Sequence, residues 1–64
     1  MLFENMQVGT YYSVEVTDRS RTGLEPGAVG SLVKEDDGEY TAYFNGDPYI
    51  FGRTRDMWFM RIID

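Results

Sequence analysis

Apolar and polar residues alternate along much of the chain, and no sustained i, i+3, i+4 spacing is present. Val, Tyr, Phe, Thr and Ile gather in short runs bounded by Gly, Pro, Asn and Asp, the pattern of short β-strands joined by turns. The clearest run is Thr10 to Thr17, which opens after Gly9. It puts Tyr12, Val14 and Val16 on one face and Tyr11, Ser13, Glu15 and Thr17 on the other. Asp18 to Gly27 holds Arg19, Ser20, Arg21, Gly23, Pro26 and Gly27, and this density of turn formers predicts a long exposed loop.

Two further strands, Ala28 to Glu35 and Glu39 to Asn45, flank Asp36-Asp37-Gly38. A two-residue Asp37-Gly38 loop would pair Val33 with Ala42. A three-residue loop with Gly38 in the left-handed region pairs Leu32 with Ala42 and gathers Leu32, Tyr40, Ala42 and Phe44 on one face. The second register is preferred because it collects the apolar side chains together. Asn45-Gly46-Asp47-Pro48 is the next tight connection, where Pro48, lacking an N–H, is expected to prevent pairing. A fourth strand follows from Tyr49 to Gly52. Arg53 to Asp56 suits a single 3₁₀ turn, and Met57 to Ile63 is the last strand.

Five short strands, a long first loop, two tight hairpins and a helical turn before the last strand describe an all-β chain closed into a small barrel. The run Pro26-Gly27-Ala28-Val29-Gly30-Ser31-Leu32-Val33, followed after a turn by Tyr40-Thr41-Ala42-Tyr43-Phe44, resembles the PGxxGxVV…YxVxF pattern of SH3-like barrels. Within that group the chain is similar to compact prokaryotic and bacteriophage domains. It lacks the ALYDY-like first-loop segment of the signalling domains that bind proline-rich peptides. The resemblance implies a five-stranded SH3-like barrel with one 3₁₀ turn before the last strand, and it bears on fold more than on function.

Length and composition narrow the chemistry. Sixty-four residues make one domain, residues 1–64, with a radius of gyration of roughly 11 Å. That is too small for an enclosed active site with a supporting shell around it. The chain is 42% apolar with one Trp, five Tyr and four Phe, enough to form a core. It has no Cys and no His, which excludes disulfides, thiolate metal sites, thiol nucleophiles and every His-dependent triad. Carboxylate pairs such as Glu15 with Asp18 are present, but no nucleophile, base and oxyanion site accompany them. The expectation is a noncatalytic protein without cofactor or metal. The first residues, Met-Leu-Phe-Glu-Asn, have no basic segment or apolar core of a secretory signal, and no run approaches the roughly 20 apolar residues of a membrane span. This points to the cytoplasm and away from the membrane.

The net charge is −5, from eleven acids against six bases, so nucleic-acid binding needs a local basic exception. Two Arg-x-Arg pairs, Arg19 with Arg21 and Arg53 with Arg55, supply that exception if they converge. Neutralisation by Asp18, Glu25 and Asp56 would remove it. Glu35, Asp36, Asp37 and Glu39 crowd one hairpin tip, where they either keep the protein soluble or engage a basic surface. Their spacing is not that of an EF-hand.

Met57-Trp58-Phe59-Met60 and Ile62-Ile63 are apolar at both parities. Strand alternation points Phe59 and Ile63 outward. There they either lie beneath Leu2, Phe3 and Met6 of the N-terminal segment or form an exposed patch. Some of Tyr11, Tyr43, Tyr49, Phe51 and Trp58 must also reach the surface, since so small a barrel cannot enclose them all.

These features lead to the expectation of a protein-binding module. Its surface is expected to combine Phe59, Ile63, Tyr43, Tyr49 and Phe51 with the acids Glu35, Asp36, Asp37 and Glu39. The phage-type resemblance implies a regulator or inhibitor of a host protein. The alternatives are a nucleic-acid binder using Arg19, Arg21, Arg53 and Arg55 with Tyr49 or Trp58 as stacking platform, and a structural subunit or homodimer.

Overall fold

The computed structural model describes residues 1–64. Five strands form one antiparallel sheet: β1 (Tyr11–Val16), β2 (Val29–Lys34), β3 (Tyr40–Phe44), β4 (Asp47–Phe51) and β5 (Met60–Ile62), in the order β4-β3-β2-β1-β5. Two 3₁₀ turns, Phe3–Asn5 and Thr54–Met57, complete the regular structure. This is the all-β, five-stranded architecture expected from the sequence, with the 3₁₀ turn in place before the last strand. Its radius of gyration is 10.5 Å. No helix is long and apolar enough to cross a membrane.

The β2–β3 hairpin has the register in which Leu32 pairs with Ala42. Gly38 takes φ +88°, and its N–H donates to the Glu35 carbonyl at 3.0 Å. Leu32, Tyr40, Ala42 and Phe44 are buried together with Val14 and Val16 of β1. Gly30 shows how tightly these strands coil. A Cβ there would lie 2.3 Å from the Tyr43 carbonyl oxygen and 2.7 Å from the Phe44 ring, so only glycine lets β3 approach this closely.

Pro48 does not end the pairing. The connection is the two residues Asn45-Gly46, both with positive φ (54° and 81°), as a primed hairpin turn requires. β4 therefore starts at Asp47, and Pro48 sits opposite Tyr43. With Phe44 and Asp47 as the hydrogen-bonded pair that closes the turn, the next pair is non-hydrogen-bonded. The ring nitrogen of Pro48 then faces the open edge, where no partner is needed.

The second correction concerns the chain's end. Thr54–Met57 is a 3₁₀ turn and β5 begins only at Met60, so strand alternation does not apply across Met57, Trp58 and Phe59. Met57, Phe59, Met60 and Ile62 are buried, with Phe59 only 2% exposed, whereas Trp58 is 61% exposed. Phe59 is thus a core residue and forms no part of a surface patch. Ile63 does point outward, at 44% exposure. In the N-terminal segment Met6 is buried, Phe3 packs half-buried against the core and Leu2 stays exposed. Val8 then bridges Lys34 in parallel, and the Gly9 N–H donates to the Lys34 carbonyl at 3.0 Å.

Candidate functional site

The first concentration of exposed functional side chains lies on the outer face of the sheet. The register places Tyr11, Val33, Thr41 and Ile50 in one row across β1 to β4. The next row holds Ser13, Ser31, Tyr43 and Pro48. The Tyr11 and Tyr43 rings meet at 6.5 Å between centroids, and Val33, cross-strand from Tyr11, is only 2% exposed although it faces outward. At the end of the first row Ile50 is 65% exposed.

Beside Ile50 the β2–β3 turn brings Glu35, Asp36, Asp37 and Glu39 around a shallow hollow of about 420 Å³, completed by Thr41. Glu35 and Glu39 share a backbone pair, as the register requires, the Glu35 N–H donating to the Glu39 carbonyl at 2.8 Å. Hydrogen bonds to Glu35 and Asp37 offset part of the like-charge opposition at the tip. Glu35 Oε2 accepts from the buried Thr41 hydroxyl at 2.9 Å, and Asp37 Oδ1 accepts from the Glu39 N–H at 2.9 Å. None of the four acids is paired with a base, and no group of three or more acidic side chains is arranged to hold a metal ion.

The second concentration is a groove of about 310 Å³ between the first loop and the second 3₁₀ turn. It is lined by Ser20, Arg21, Thr22, Phe51, Arg55, Asp56, Trp58 and Phe59. The loop is held there by its backbone: the Thr17 and Asp18 N–H groups both donate to the Phe59 carbonyl, at 2.7 and 3.2 Å. At the loop's far end Glu25-Pro26-Gly27-Ala28 forms a turn closed from the Ala28 N–H to the Glu25 carbonyl, with Gly27 at φ +97°. Phe51 and Phe59 pack at 5.7 Å, and Phe59 and Trp58 at 6.0 Å with their planes 80° apart. These three rings make a continuous apolar wall that ends in the exposed indole.

The arginine pairs therefore converge by one member each. Arg21 and Arg55 line the groove with no ion-pair partner, while Arg19 is bound to Glu25 and so takes no part. Arg53 is exposed and stands outside the groove, its carbonyl accepting from the Asp56 N–H at 3.1 Å. Asp18 accepts from the Thr17 hydroxyl at 2.8 Å. Asp56 shares the groove but forms no ion pair with either arginine.

The expected protein-binding residues thus separate. Tyr43 and the four acids adjoin one another through Thr41 and Ile50. Tyr49 and Phe51 point inward, half-buried, Tyr49 edge-on to Phe44 at 6.0 Å, and Phe51 belongs to the groove. Ile63 stands apart at the end of β5, where its N–H donates to the Ser13 carbonyl at 2.9 Å. Ile50 is the residue that sequence reasoning missed. Its signal was the alternation around it: with Tyr49 and Phe51 facing inward, Ile50 must face out.

The chain is an all-β fold of five antiparallel strands in one sheet. No protein-family model, curated protein or solved structure matches it.

Proposed function

We propose that this protein is a noncatalytic protein-binding module whose partner presents a basic, partly apolar surface, in keeping with a phage-type regulator or inhibitor of a host protein. The observation that carries this reading is Ile50: a large aliphatic side chain, 65% exposed on an edge strand and bordered by four unpaired carboxylates. Tyr11 and Tyr43 extend the apolar area on the same face. An apolar centre with a charged rim is the composition of a specific interface, and the acids would accelerate encounter with a basic partner.

The test is affinity capture from lysate of the source cell or its host, with nuclease present, comparing wild type with Ile50→Arg and with Asp36→Lys/Asp37→Lys. The reading expects one basic protein retained by wild type and lost from both variants. Capture indifferent to these changes overturns it. If light scattering instead shows a concentration-dependent dimer abolished by Ile50→Arg, the face is a self-association surface and the structural-subunit reading replaces the first.

A further inference from the structure

We propose that the groove between the first loop and the second 3₁₀ turn binds a nucleotide unit, with the base stacked on Trp58 and the phosphate held by Arg21 and Arg55. The site shares no residue with the acidic face and goes beyond the protein-binding reading.

Three observations converge. Arg19 and Arg61 are held by Glu25 and Glu15, but Arg21 and Arg55 have no carboxylate within ion-pair distance, though they line one groove from distant parts of an acidic chain. Two guanidiniums without a carboxylate partner line one concavity, and each carries the forked donors that suit phosphate. The indole of Trp58 is 61% exposed and packs on the buried Phe59 ring with the two planes 80° apart, so an aromatic surface is presented to solvent at little further cost in side-chain entropy. The groove, at about 310 Å³, lies at the small end of the range for ligand sites.

A nucleotide carries a planar ring and an anion in one compact unit. A carboxylate side chain would satisfy the arginines and leave the indole without a planar partner. Asp56, in the same groove, is an acceptor for a base amino group and disfavours a second phosphate beside it. Two free arginines and a net charge of −5 fit a single nucleotide or a short unpaired stretch, and oppose a duplex with its dense phosphate charge.

Trp58 is the only tryptophan, so its fluorescence reports directly on stacking. The protein is titrated with adenosine monophosphate, with tetrathymidylate and with an aromatic-free Asp/Glu peptide. Saturable quenching by the first two and none by the peptide is the expected result, with binding weakened about tenfold by Arg21→Ala and by Arg55→Ala and unchanged by Arg61→Ala. Tighter binding of the tetranucleotide, with log K falling by about 0.7 per log unit of salt for each phosphate engaged, identifies single-stranded nucleic acid as the source. Equal binding of both identifies the free nucleotide. Absence of quenching by either, equal quenching by the peptide, or indifference to both arginine substitutions overturns the proposal. Should an arginine variant lose its fold, the wild-type comparison of nucleotide with peptide still decides.

Discussion

The acidic face and the arginine groove are built in opposite ways. The face lies on a regular ladder, where β2, β3 and β4 follow one another through short turns and each side chain's place is set by register. The groove lies where the ladder is interrupted. Its walls come from a long loop and a 3₁₀ turn that meet only because the Thr17 and Asp18 N–H groups share the Phe59 carbonyl and because Phe59 is packed beneath them. Like charges are tolerated on the ladder because Thr41 and a backbone N–H share the load. In the groove the two arginines remain unpaired beside an aspartate. The first site should therefore resist perturbation of the chain's end, and the second should depend on it.

The strongest way to break this contrast is Phe59→Ala. Removing a buried ring that also floors the groove should cost about 3 to 5 kcal/mol, against a total of about 5 for a domain this small. Denaturant titration should find the variant largely unfolded; a stable fold would mean that the groove is separable from the core. Next is Gly30→Ala, expected to lose about 1 to 3 kcal/mol because the new methyl meets the Tyr43 carbonyl and the Phe44 ring. A thermal midpoint equal to wild type would show that β3 can yield at that point.

Thr41→Val sharpens the comparison from the other side. It removes the hydroxyl that serves Glu35 and should cost about 1 kcal/mol, with the loss shrinking when Glu35→Gln is made as well, as a double-mutant cycle would reveal. The smallest effect belongs to Trp58→Ala, under about 1 kcal/mol for so exposed a side chain. Near-UV circular dichroism should change while the denaturation midpoint barely moves. A large loss of stability would place the indole in the core after all.

The β2–β3 hairpin was legible because two local signals agreed: Gly38 needed positive φ, and the same register collected Leu32, Tyr40, Ala42 and Phe44. Pro48 misled because a missing N–H matters only where the ladder needs a donor, and the phase of the Asn45-Gly46 turn decides that. Of the candidate site, the acidic tip was visible as a run of charge. Ile50 was hidden because Tyr49 and Phe51, its neighbours of opposite parity, were assigned to the surface, whereas both pack against the core.

What the sequence determined by itself is the all-β architecture, the β2–β3 turn and the inward faces of β1, β2 and β3, because alternation of period two and left-handed glycines are properties of neighbouring residues. What only the tertiary structure decided is which of Trp58 and Phe59 is buried and which arginines go unpaired. Met57 to Ile63 is apolar at both parities, so local pattern has no preference there. The choice falls to the 3₁₀ turn that swings Phe59 beneath the first loop and leaves the indole beside Arg21 and Arg55.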